Sequence, residues 1–254
     1  MSNIQIIKPK DQAIGEFDSG KITEQKPIGF SGEGSQINRL GPLFYWAWGK
    51  ASGPAGIDAH PHKGFEIFTY ILSGEVFHED SLGTESVVGT GGVQLMQTGS
   101  GMWHAEGMNG PGEGLQIWLE PYLDDAFKRP PHYSKYAHED FPAVHDKGVT
   151  VKTILGTGSP MHLVTDAYMY DVNITAGATH THALSSNRTL AGLAIRGKGG
   201  VIGRSETAFE NKDFFIIQSE DSESITIRPK NQDLRIVLIE VPTEVDYPLY
   251  KKPR

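Results

Sequence analysis

No cysteine occurs among the 254 residues, which removes disulfides, thiolate metal sites, iron–sulfur clusters and a cysteine nucleophile. Any metal must therefore be held by His, Asp or Glu. Positive charge is also scarce. The chain carries 23 Lys and Arg against 31 Asp and Glu, a formal net charge of −8, the reverse of what a nucleic-acid binder or anionic-membrane binder needs. No apolar run approaches the roughly 20 residues of a membrane helix. Residues 1–15 lack the apolar core and small-residue cleavage pattern of a secretory signal. These absences predict a cytoplasmic protein whose partners are small molecules or proteins, with no membrane and no nucleic acid bound directly.

What is plentiful is punctuation. Thirty glycines and fifteen prolines cut the chain into short apolar runs of strand length, several rich in β-branched or aromatic residues. In the first half these are Leu43–Trp48, Phe65–Leu72, Val93–Gln97 and Leu115–Leu119. In the second half they are Val149–Leu155, Tyr168–Ile174, Leu190–Ile195, Phe214–Gln218, Ile225–Arg228 and Leu234–Val241. The pattern predicts an all-β protein of two antiparallel domains, residues 1–121 and 146–254. Residues 122–145, rich in Pro, His, Tyr and charge, read as a linker with one helical turn at Leu123–Lys128. An H-x-H followed by a strand ending in Gly occurs at His60/His62 to Gly74 and again at His180/His182 to Gly197, as duplication of a β-barrel would produce.

The densest chemistry lies between His60 and Glu106. Residues two apart on a strand point the same way, so His60 and His62 converge on one side, as do His104 and Glu106. Two such pairs on neighbouring strands bring four ligands to one point. Three imidazoles and a carboxylate suit a divalent first-row metal and leave a coordination position open to water, dioxygen or substrate. Gly99 and Gly101 supply a tight turn before the second pair.

The stretches HPHKGFEIFTYILSGEVFHEDSLG (His60–Gly83) and GGVQLMQTGSGMWHAE (Gly91–Glu106) closely resemble the pirin family of the cupin superfamily. Weaker similarity extends through Arg39–Pro42, Leu115–Trp118 and Pro131–Tyr133. The chain departs from the pattern at Phe44–Gly49, which is aromatic where pirins often carry an Asp-His-Phe-Gly run. The resemblance implies a bicupin, two stacked antiparallel β-barrels of jelly-roll type. It places a single mononuclear metal in the N-terminal barrel, most often Fe(II), with Mn, Co, Ni, Cu or Zn as alternatives. Its ligands fall on His60, His62, His104 and Glu106.

The implied activity is that of a quercetin dioxygenase, an oxidoreductase that opens the heterocycle of a flavonol with O2. Glu106 would take the 3-hydroxyl proton as catalytic base. The alternative is a non-enzymatic iron protein that binds a metabolic enzyme or transcription factor in a redox-dependent way. Glu66, evenly spaced from His60 and His62, is expected to orient a histidine through its other ring nitrogen. Phe68, Met96, Met102 and Trp103 are candidate walls of the aromatic-substrate pocket. His78 and Asp80 read as the end of a strand and its turn, and His180/His182 as structural or surface residues, since Phe214–Arg228 offers them no histidine partner.

Overall fold

The computed structural model describes residues 3–250. In chain order its strands begin with β1 (Asn3–Ile7), β2 (Ala13–Phe17), β3 (Ile22–Ile28), β4 (Leu43–Ala51), β5 (Ala55–His62) and β6 (Glu66–Ser73). There follow β7 (Glu75–Asp80), β8 (Glu85–Gly89), β9 (Val93–Gln97), β10 (Met102–Met108) and β11 (Gly112–Leu119), then a one-turn helix α1 (Leu123–Ala126). Next come β12 (His132–Tyr136), β13 (Ala143–Asp146), β14 (Val149–Leu155), β15 (Tyr168–Ile174), β16 (His180–Leu184) and β17 (Arg188–Arg196). The last are β18 (Gly200–Ile202), β19 (Thr207–Phe209), β20 (Phe214–Ser219), β21 (Glu223–Pro229) and β22 (Leu234–Pro242). The expected all-β class is what forms. No helix among the described residues is long and apolar enough to cross a membrane.

The elements sort into two compact units. The first has a seven-stranded antiparallel sheet, β12-β9-β6-β11-β4-β3-β2, and a four-stranded one, β5-β10-β7-β8. Ile22, Ala51 and Ile71 from the larger sheet and Ala55, Val76, Val88 and Met108 from the smaller share one buried apolar cluster. The second unit repeats the plan with β1-β20-β17-β22-β15-β14-β13 and β16-β21-β18-β19. Its core joins Leu190, Phe215, Ile236 and Leu238 to Ile202, Phe209, Ile225 and Ile227, all under 2% exposed. Each such side chain contributes about 1.5–3 kcal/mol on burial. The ladders do not join the two sheets of either unit, so in hydrogen-bonding terms the expected barrels are open cupin-like sandwiches.

Strand pairing divides the chain differently from cuts at 121/122 and 145/146. β1 lies in the second unit, where its five residues pair with β20 from Asn3↔Gln218 to Ile7↔Phe214. β12, inside the supposed linker, pairs along its whole length with β9 and forms the edge of the first unit's larger sheet. Residues 163–165 and 246–250 also belong to the first unit. The reason is that β12, His-Tyr-Ser-Lys-Tyr, has no buried residue, so nothing in its polarity marks it as a strand.

Candidate metal centre

The four-stranded sheet of the first unit places the site. β10 lies between β5 and β7, with His104 opposite His60 on one side and Asp80 on the other. Met102 stands opposite His62, and Glu106 opposite His78. Because side chains alternate along a strand, His60, His62, His104, Glu106, His78 and Asp80 leave one face. Between His104 and Glu106 the β10–β5 register shifts by a bulge, so that Glu106 pairs with Ile57. The turn before β10 is as expected: Gly99 and Gly101 have φ of +48° and +124°, and Gly101 N donates to Thr98 O at 2.8 Å.

His60, His62 and His104 come together, each offering one ring nitrogen within 4.8 Å of the others. Their ring centroids are 4.4 to 5.0 Å apart. His60 Nδ1 lies 2.8 Å from the Asp58 carbonyl oxygen. A carbonyl only accepts, so Nδ1 carries the proton and Nε2 keeps its lone pair. His104 is 1% exposed, and its Nε2 is a buried nitrogen with no hydrogen-bond partner. Burial, then the neighbouring His60 ring, holds the His62 pKa down to about 4. Burial, followed by His62, His60 and His78, lowers His104 to about 2. The neutral imidazoles of His62 and His104, with the orphaned nitrogen of His104 between them and His60, fit a divalent cation that prefers nitrogen ligands.

Glu106 is not one of this trio. Its carboxylate accepts from Gln94 Nε2 at 3.0 Å and from Gln116 Nε2 at 2.6 Å. Burial raises its pKa, against the lowering effect of the Gln116 hydrogen bond and the His60 and His78 rings. Gln116 Oε1 in turn accepts the Trp118 indole N–H at 2.9 Å. Trp118 meets His62 edge-on, ring centroids 4.7 Å apart.

Glu66 does not orient a histidine. Its carboxylate accepts from Gln97 Nε2 at 2.7 Å, the Val164 and Thr165 backbone N–H groups at 2.7 and 2.9 Å, and Thr165 Oγ1 at 2.6 Å. The even spacing from His62 fails because the chain turns between β5 and β6 at Gly64, φ +85°, and strand parity does not carry across a turn. Next to Glu66 lies a cavity of about 140 Å³, bounded by residues that include Phe65, Tyr122 and Arg129 but none of the three histidines.

The expected pocket walls separate in the same way. Met96 and Met102 are buried together with Ile67, and Trp118 and Tyr133 pack against them. Phe68, 1% exposed, is buried but leaves β6 on the face opposite Ile67. Trp103 is 55% exposed on β10 and turns away from its neighbour His104.

Several residues of the site carried no signal strong enough to single them out. His78 is fully buried, with Nε2 2.9 Å from Asp80 Oδ2 and Nδ1 3.4 Å from His104 Nδ1. Tyr133 of β12 stacks on His78 with ring centroids 4.2 Å apart. The alternation in Val76, His78 and Asp80, all on one side of β7, was the available clue.

In the second unit His180 and His182 occupy the equivalent strand, β16, but Ile227 stands opposite His180 where His104 stands opposite His60. Both are buried rather than on the surface, and His182 Nε2 lies 2.8 Å from Glu240 Oε2.

The pirin family's sequence profile matches residues 44–119. A pirin-like protein, number 2, of Arabidopsis thaliana is 30% identical over 214 residues, covering 81% of this chain and 66% of its own length. The chain belongs to the pirin family. A bacterial pirin from Escherichia coli, YhhW, solved in complex with nickel(II), superposes with a TM-score of 0.78 at 21% identity, over 96% of this chain and 100% of that one. A quercetin 2,3-dioxygenase from Acinetobacter baumannii superposes with a TM-score of 0.82 at 20% identity, over 99% and 91%. At these identities the superpositions establish the shared fold. The matched part spans just under two thirds of the Arabidopsis pirin-like protein.

Proposed function

We propose that His60, His62 and His104 hold one divalent metal ion, iron(II) foremost, and that the chain is a flavonol dioxygenase acting on a quercetin-like aromatic substrate with O2. The observation that carries this reading is the buried, unpartnered Nε2 of His104 set among two further imidazoles. Membership of the pirin family and a fold shared with a quercetin 2,3-dioxygenase support it. When bound, the ion supplies a Lewis acid that makes a coordinated hydroxyl more acidic and a redox partner for dioxygen.

The chain's own residues supply the remainder. Glu106, its pKa raised by burial, is a stronger base than an ordinary carboxylate and takes the flavonol 3-hydroxyl proton. Gln94 and Gln116 hold that carboxylate in one orientation. Gln94 Oε1, buried without a partner, is an acceptor available to a second substrate hydroxyl. Trp118, edge-on to His62, and Tyr133, stacked on His78, surround the imidazoles with aromatic surface. Ligation by Glu106 itself, the four-ligand set that the family resemblance implies, would use a lone pair that its two amide hydrogen bonds leave free.

The test is dioxygen uptake with quercetin by iron-reconstituted protein, after metal analysis and beside Glu106→Gln. Uptake lost with metal retained assigns Glu106 as the base, whereas metal lost with it assigns a ligand. A full site with no uptake rejects the dioxygenase reading. One observation would then favour a redox-dependent protein-binding role: Trp103, a large apolar side chain, is mainly exposed on the outer face of the strand that carries His104.

A further inference from the structure

Asp80 and His78 lie behind His104 in a row that runs away from the three imidazoles. Asp80 Oδ1 accepts the backbone N–H groups of Leu82 and Thr84, at 2.8 and 3.1 Å. Its Oδ2 faces His78 Nε2 at 2.9 Å. His78 Nδ1 faces His104 Nδ1 at 3.4 Å. The His78 ring has no exposed surface and is clamped by the stacked Tyr133 ring, 4.2 Å away and 16° from parallel. Tyr133 is itself hydrogen-bonded to Ser86.

Each link restricts where the protons lie. A carboxylate only accepts, so His78 Nε2 must donate to Asp80. A neutral His78 then has a bare Nδ1, which accepts from His104 Nδ1–H. A neutral His104 with its proton on Nδ1 has a bare Nε2, the atom left without a partner in the buried site. The opposite arrangement would place an N–H on His104 Nε2, buried, pointing toward two other imidazoles and lacking an acceptor.

We propose that Asp80 and His78 act as a positioning pair that fixes the proton of His104 on Nδ1 and locks the ring with Nε2 turned toward the metal position. Neither residue touches the metal position. Their effect passes through His104, as that of a carboxylate behind a ligating histidine does elsewhere. Here an imidazole is interposed between carboxylate and ligand, which lets β7 govern a ligand of β10 across one strand pairing. His60 obtains the same result more simply, from the Asp58 carbonyl. The consequence for metal binding rests on the metal reading above. The proton placement does not.

The experiment uses full-length, metal-free protein with 15N-labelled histidine. Long-range 1H–15N correlations of each ring report its tautomer directly. Wild type is expected to show His104 protonated at Nδ1 and His78 protonated at Nε2. Asp80→Asn keeps an oxygen for the Leu82 and Thr84 N–H groups but presents a donor to His78 Nε2. The chain of hydrogen bonds should then reverse, moving the His104 proton to Nε2. Co(II), followed by its d–d absorption, should bind Asp80→Asn at least about ten-fold more weakly. Glu79→Gln removes the same charge from an exposed neighbour and should bind as wild type does.

A wild-type His104 protonated at Nε2 would overturn the proposal without recourse to any variant. So would Asp80→Asn with unchanged tautomers and unchanged Co(II) affinity. The stated tautomers in a wild-type protein that binds no Co(II) would support the proton placement and overturn the metal reading instead.

Discussion

The Gln116 side-chain amide donates to Glu106 Oε1 across 2.6 Å, at the end of a chain of hydrogen bonds that starts at the Trp118 indole. That bond lowers the Glu106 pKa against the larger effect of burial, which raises it. Gln116→Leu removes the lowering contribution, so the Glu106 pKa rises further. A base must be ionised to act, so the acid limb of the quercetin-dependent rate profile should move to higher pH in Gln116→Leu, with the plateau rate less affected. Leaving Glu106 Oε1 and the Trp118 N–H without their partner should also cost about 1–3 kcal/mol in urea denaturation.

Glu66 gives a prediction of the opposite kind, a large stability effect with an intact metal centre. Its carboxylate satisfies two backbone N–H groups, the Thr165 hydroxyl and the Gln97 amide. Each buried donor left unpaired costs about 1–3 kcal/mol, so Glu66→Ala should destabilise the fold by about 3 kcal/mol or more. Metal affinity in the variant that remains folded should match wild type. A ten-fold loss of affinity with little loss of stability would return Glu66 to the role of orienting a histidine.

How much of this was legible in the sequence depended on which faces the strands bury. β6, β9 and β22 are buried on both faces or nearly so, and their apolar runs marked them. β7 reads Glu-Val-Phe-His-Glu-Asp, where His78 on the buried side hides the alternation, and β13, Ala-Val-His-Asp, buries none of its residues. The three histidines were legible because H-x-H on a strand and a nearby His-Ala-Glu have few structural uses together. Glu66 was misplaced because spacing was extended across the turn at Gly64. His78, Gln94 and Gln116 belong to the site through pairing between strands, which no local pattern encodes. The assignment of β1 to the second unit is likewise a long-range pairing, with β20 more than 200 positions away.

His180 carries a pH prediction that is independent of the metal centre. Burial, then the neighbouring His182, lowers its pKa from 6.5 to about 4. Between those values the unfolded chain binds a proton that the folded chain refuses, so this residue's contribution to stability falls as pH falls. The full shift corresponds to about 3 kcal/mol. Relative to His180→Leu, wild type should therefore lose about 3 kcal/mol of unfolding free energy between pH 7 and pH 4. An unchanged difference between the two proteins across that range would show that His180 is protonated in the fold.

Metal binding should itself stabilise the protein, since the unfolded chain has no preformed trio. At a free metal concentration one hundred times Kd the gain is about 2.7 kcal/mol, visible as a rise in thermal midpoint with Co(II) or Fe(II). His180→Leu should show the same rise, and His62→Ala none.

The most direct measurement is metal stoichiometry by elemental analysis after anaerobic reconstitution with Fe(II) and removal of excess, on wild type and on His104→Ala. One iron per wild-type chain and none on a folded His104→Ala protein is the expected result. A folded wild type that retains no iron, or a His104→Ala protein that retains a full complement, would contradict the three-histidine metal centre.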